Sequence, residues 1–211
     1  LIRTIIFDFD GTIVDSGRVV FDLFNKFADK YDYKRVPERD AELIRSLPVR
    51  ERFKMLKVPV HKVPLLTMDV VRKYKEAIPN LKISHELKNV LKELKNRGVN
   101  LILISANSKE NIKQFLKINQ MEWFDDVITA NRFFGRHLAI NSYLKTAGIS
   151  RDDVVFVGDE HRDILACRKS QIKIISVTWG YDLERLLRQS DPDYIARKPS
   201  DILNIIAGAS A

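Results

Sequence analysis

The chain has 211 residues, 45% hydrophobic and 30% charged, which is enough apolar material for one large folded domain or a core with an inserted module. No apolar run reaches the length of a membrane span and the first residues lack the order of a secretory leader, which with a single cysteine, Cys167, points to the cytoplasm. The formal net charge is +8, yet no basic stripe interleaved with aromatics accompanies it, so nucleic acid is not the expected partner.

The first element is an apolar run, Ile5-Ile6-Phe7, of the kind that makes a fully buried strand. It ends in two carboxylates, Asp8 and Asp10, with Gly11 directly after them. Packing does not call for such an ending. At the carboxyl end of a central parallel strand the pair would face the crevice where open α/β sheets bind ligands, and Gly11 would let the chain turn close to that ligand. Like charges so near each other must share a proton or hold a cation, so the stretch reads as a metal-assisted nucleophilic site; an ordinary Asp-Gly turn is the bland alternative.

Helical spacing follows. Val20, Phe21, Phe24, Phe27, Ala28 and Tyr31 recur as one amphipathic helix over Gly17 to Asp32, which Asp15 or Ser16 can cap. Shorter helices are predicted over Pro37 to Leu47, Val49 to Leu56 and Pro64 to Ala77, with prolines marking the breaks. Residues 16–83 thus read as a helical module inserted after the first strand. That module holds 16 Lys+Arg against 9 Asp+Glu, nearly all the excess charge of the chain. Such a module would attract anionic substrates toward a carboxylate-rich site; the same excess also fits lysines on solvated helix faces.

From Ser84 the pattern alternates. Helices are predicted from Ser84 to about Asn96, Lys109 to about Ile118, Leu138 to Ala147 and Glu160 to Ser170. Strands are predicted over Asn100 to Ile104, Asp126 to Thr129, Val154 to Val157 and Lys173 to Val177. Alternation of this kind predicts an α/β fold, a Rossmann-like parallel sheet with helices on both faces, made of residues 1–15 and 84–211 and carrying the 16–83 insert. Cys167, inside a helical pattern, reads as a small buried hydrophobe.

Asp8, Ser105 and Asp159 each follow an apolar strand whose body does not explain them, so adjacent strands would bring them together. Asp8 and Asp159, with the backbone carbonyl of Asp10, form an oxygen donor set suited to Mg²⁺; the Cys/His clusters that zinc prefers are missing. Phosphoryl transfer needs donors aimed at the phosphoryl oxygens, and the Ser105 hydroxyl with the backbone N–H groups around Gly11, Thr12, Ala106 and Asn107 would supply them. Ser105 also fits a helix cap.

The residues Asp-Phe-Asp-Gly-Thr-Ile-Val-Asp-Ser, the Leu-Ile-Leu-Ile-Ser that ends at Ser105 and the Gly158-Asp159-Glu-His-Arg-Asp163 stretch resemble, in order, motifs of the haloacid dehalogenase-like phosphohydrolases. The resemblance covers the whole core and implies that Asp8 attacks phosphorus, Asp10 acts as general acid and then base, Asp159 binds metal and Asp163 supports it or orients the basic residue. The family's third motif is a lysine, often in Gly-Lys-Pro; here Gly135-Arg136-His137 stands in that place, so Arg136 is the expected phosphoryl clamp, with a wider fork, and Lys145 is the fallback. The insert looks like the family's small helical cap, and Arg50 and Arg52 lie where such a cap carries its substrate-facing loop, Arg50 being the expected contact with a substrate anion; an exposed helix-start arginine is the alternative.

These readings predict a Mg²⁺-dependent phosphatase for a small phosphorylated metabolite, most similar to phosphoglycolate phosphatases. A phosphomutase shares the first half-reaction and is the nearest alternative. A non-catalytic phosphate-binding protein is the other.

Overall fold

The computed structural model describes residues 1–130 and 135–208. Strand β1 (Thr4–Phe7) leads into a helical segment of α1 (Gly17–Lys26), α2 (Ala28–Tyr31), α3 (Ala41–Arg45), α4 (Val49–Met55) and α5 (Val63–Tyr74). Helices and strands then alternate: α6 (His85–Asn96), β2 (Asn100–Ser105), α7 (Lys109–Ile118), β3 (Asp126–Thr129), α8 (Arg136–Ala147), β4 (Val154–Gly158), α9 (His161–Ser170), β5 (Lys173–Val177), α10 (Glu184–Gln189), β6 (Tyr194–Ala196) and α11 (Pro199–Gly208). Among the described residues the strands form one six-stranded sheet, ordered β3-β2-β1-β4-β5-β6 and parallel throughout. None of the described helices is long and apolar enough to cross a membrane.

Strand alternation divides the core into two layers. Ile5, Phe7, Leu101, Leu103, Val155 and Val157 face the side covered by α6, α7 and α11, where Leu91, Leu94, Phe115 and Ile202 are fully buried. Ile6, Ile102, Ile104 and Phe156 face the other side, against Ile140, Leu144, Ile164 and Cys167 of α8 and α9. The Cys167 thiol is buried there as expected, and burial pushes its pKa up, which keeps it an inert thiol. Ser84 and Ser108 accept the N–H groups of Leu87 and Asn111 at 3.2 Å each, capping α6 and α7.

Leu91 sits in the first layer with no exposed surface. Leu91→Ala is expected to destabilise the fold by about 2–5 kcal/mol, a large part of the roughly 5–15 kcal/mol typical of a domain, as a denaturant titration would show.

The segment expected as one helix from Gly17 to Asp32 is broken at Phe27, whose N–H is shared between the carbonyls of Leu23 and Phe24 at 3.2 and 3.3 Å. Such sharing is common where a helix ends. Tyr194–Ala196, three residues long, is a strand that the alternating pattern was too short to mark.

Candidate active site

Phe7 is in register with Leu103 on one side and Val157 on the other. The residues beyond them, Asp8, Ser105 and Asp159, therefore leave the carboxyl edge of the sheet side by side, and all three are buried.

Asp8 accepts the N–H of Phe9 on Oδ1 at 2.8 Å and the guanidinium of Arg136 on Oδ2 at 2.9 Å. Arg136 opens α8, and its Nη1 also donates to Asp163 Oδ1 at 2.5 Å. Burial works against the guanidinium charge, but the neighbouring Asp163 and Asp8 outweigh it and raise its pKa. A fixed cation thus stands beside Asp8. Lys145 is exposed.

Asp10 is held by three side chains. Its Oδ1 accepts the hydroxyls of Ser16 at 2.8 Å and Tyr74 at 2.6 Å, and its Oδ2 accepts the Asn107 amide at 2.9 Å. Burial raises its pKa; the Tyr74 and Asn107 bonds oppose the rise, the charge of Asp8 adds to it, and Ser16 opposes it. A carboxyl that keeps its proton above the ordinary range is fit to deliver one. Ser16 makes no capping bond to α1, because its hydroxyl serves Asp10 and lies 2.6 Å from the Tyr181 hydroxyl.

Ser105, Ala106 and Asn107 line the cleft together with Asp8, Asp10 and Arg136. Of the expected backbone donors at Gly11 and Thr12, that of Gly11 is engaged within the chain. With φ at +80° at Gly11 the chain folds back, so the Gly11 N–H goes to the Val14 carbonyl at 2.9 Å and the Thr12 hydroxyl goes to Asp159 Oδ1 at 2.7 Å. Arg50 is exposed and lines neither this cleft nor the larger cavity behind it. Its position at the start of α4 directs it outward, while Arg52 turns inward to pair with Asp182.

The expected metal ligands are Asp8, Asp159 and the backbone carbonyl of Asp10, and the structure adds two further acids beside Asp8. Asp8, Glu160 and Asp163 bring oxygens within 4.8 Å of one another. Asp159 stands outside that trio, its Oδ2 accepting the Tyr181 N–H at 2.7 Å as Oδ1 accepts Thr12. The cause is local. Glu160 starts α9 and gives its N–H to Asp163 Oδ2 at 3.1 Å, which turns both side chains toward Asp8. Burial raises the pKa of Asp159 well above the carboxylate range, reinforced by the charges of Glu160, Asp8 and Asp163. The peptide unit between Gly180 and Tyr181 closes over Asp159 so tightly that a Cβ at Gly180 would strike its carboxylate, while the Gly180 carbonyl accepts Arg45 Nη2 at 2.9 Å.

These residues fit a divalent cation. The carboxylates of Asp8, Asp10, Asp159, Glu160 and Asp163 outnumber the guanidinium groups of Arg136 and Arg162, and the donors are all oxygen, as Mg²⁺ prefers. The oxygens of Asp8 and Asp159 each accept one of these bonds and retain a lone pair, whereas Asp10 Oδ1 already accepts two.

The sequence analysis assigned no role to Glu160 or Tyr74. Glu160 lies within the quoted acidic motif, and a third carboxylate beside Asp159 was the available signal. Tyr74 reaches Asp10 from a helix 64 residues away, and no local pattern announces that contact. His161, given no role, lies with Nδ1 2.5 Å from the Ser190 hydroxyl.

A parallel α/β sheet gathers two acids, a hydroxyl and an acidic helix start at one edge, and a profile described as haloacid dehalogenase-like hydrolase matches residues 5–177. The chain belongs to the haloacid dehalogenase-like hydrolase family and is an enzyme, a phosphatase of that family. It is 29% identical over 205 residues to a phosphoglycolate phosphatase of Synechococcus elongatus, covering 97% of each chain. It is 24% identical over 211 residues to the pyrophosphatase PpaX of Halalkalibacterium halodurans, again covering 97% of each. A crystal structure of a predicted phosphatase from Clostridium acetobutylicum shares the fold with a TM-score of 0.82 at 21% identity, covering 99% of both chains.

Proposed function

We propose that the enzyme hydrolyses a small phosphate monoester through an aspartyl-phosphate on Asp8, with residues 16–83 acting as a lid. The carboxylate of Asp8 attacks phosphorus, the bond from phosphorus to the leaving oxygen breaks, and Asp10 gives that oxygen its proton. Asp10 then takes a proton from water as the water attacks the phosphorylated Asp8, which frees phosphate and restores the acid. Arg136 holds Asp8 in place and clamps the phosphoryl oxygens, helped by the Ser105 hydroxyl and the backbone of Ala106 and Asn107. Mg²⁺, held by Asp8, the Asp10 carbonyl and the carboxylates of the 159–163 loop, would offset repulsion between phosphate and nucleophile. The observation that carries this reading is the fixing of Asp10 next to Asp8 by Ser16, Tyr74 and Asn107 in a setting that raises its pKa.

The test is a turnover screen with Mg²⁺ across phosphate monoesters, pyrophosphate and 2-phosphoglycolate, reading released phosphate. Isomerisation of a sugar phosphate without phosphate release would make the enzyme a phosphomutase, and no release from any member would refute the reading.

Metal addition gives a separate prediction. The raised pKa values of Asp159 and Asp163 contribute stability below the ordinary carboxylate value that is lost as pH rises through their folded values. A cation that neutralises the charged forms removes that loss. Mg²⁺ at about 100 times its Kd is therefore expected to raise Tm by roughly 5–10 °C near neutral pH, and by less at pH 5, in a calorimetric series.

A further inference from the structure

Resting on the phosphatase reading of the Asp8 site, we propose that the substrate is a phosphate monoester with an apolar leaving group larger than glycolate, an aryl or medium-chain alkyl alcohol, seated in the cavity beneath the helical segment. The cleft beside Asp8 has a volume of only about 20 Å³, so the alcohol must extend beyond it. Val20, Val70, Arg162 and Tyr181 line that cleft and also line a second cavity of about 480 Å³. That volume falls within the range of small-molecule sites.

The walls decide the chemistry. Phe21, Phe24, Ile44, Phe53 and Trp179 face this cavity and are only half-buried, although they pack against the core. A second anionic group on the substrate would need a cation here, and the arginines of the lining are engaged. Arg45 donates to the carbonyls of Gly180 and Tyr181 at 2.9 Å each, Arg52 pairs with Asp182, Arg18 with Asp22 and Glu38, and Arg162 with Glu160. Asp15, the acid of the same lining that stands outside these pairs, would repel a carboxylate or a second phosphate. Burying apolar surface is what remains, and it favours a longer alcohol.

The experiment measures kcat/KM for n-alkyl phosphates from ethyl to octyl and for 1-naphthyl phosphate, against 2-phosphoglycolate and pyrophosphate. Primary alkanols leave with similar ease, so the series reports binding of the chain. The expected result is a rise of roughly three- to fourfold per methylene until the cavity is filled, with naphthyl phosphate well above 2-phosphoglycolate. Ala41→Phe, which adds a ring to the cavity wall, is expected to move the optimum to a shorter chain. Calorimetry with n-hexylphosphonate and ethylphosphonate reads the same contact without turnover, and the longer ligand should bind more tightly with a more negative heat-capacity change. A flat or falling series, with 2-phosphoglycolate or pyrophosphate preferred, would overturn the proposal while leaving the phosphatase reading intact. Failure of every ester, p-nitrophenyl phosphate included, would instead count against the phosphatase reading, and the phosphonate titrations would then decide the proposal alone.

Discussion

Asp8→Asn is expected to lower turnover by at least about four orders of magnitude while the protein stays folded, since removing a nucleophile commonly abolishes nearly all of the chemical acceleration. The amide keeps the shape of the carboxylate but offers no anionic oxygen to phosphorus. Folding should survive because Arg136 retains Asp163, which accepts its Nη1 at 2.5 Å, and because the loss of one buried charge relieves the crowd formed with Glu160 and Asp163. Phosphate release in a single-turnover assay and far-ultraviolet circular dichroism check the two halves of the statement. Retained activity in a folded protein would place the nucleophile elsewhere.

Arg136 should show the second largest effect. Its guanidinium bridges Asp8 and Asp163, and all three groups are buried. Arg136→Met would leave two buried carboxylates without their cation, at a cost of about 3–5 kcal/mol in stability. Turnover should fall by roughly 10²–10³, the usual result of deleting one preorganised donor to developing charge. Arg136→Lys separates charge from shape: the ammonium restores a cation but lacks the planar fork, so stability should recover more than kcat does. Equal recovery of both would mean that a point charge is all this position needs.

The order of strands and helices was legible because each strand is a short apolar run bounded by polar turns, and because alternation with helices constrains a parallel sheet strongly. Asp8, Ser105 and Asp159 were legible as strand endings that packing could not explain. Side-chain direction beyond those endings was not. Asp159 and Glu160 are neighbours in sequence, and the hydrogen bonds of Thr12, Tyr181 and Asp163 decide which carboxylate joins Asp8. Thr12 was expected to offer its backbone N–H, and the bond from its hydroxyl to Asp159, made where Gly11 reverses the chain, carried no sequence signal. Arg50 and Arg52 lie two residues apart on one short helix, which places them on different faces, and residue type alone could not assign the inward one. Ser16 was read from its position before a helix, yet the half-buried carboxylate of Asp10 competes for its hydroxyl and takes it.

The single amide joining Gly180 to Tyr181 is gripped from both ends: its oxygen by Arg45 of the helical segment, its nitrogen by Asp159. A guanidinium on the oxygen polarises the amide and strengthens the bond its hydrogen makes, so a side chain on an exposed helix helps set the charge and aim of a buried acid.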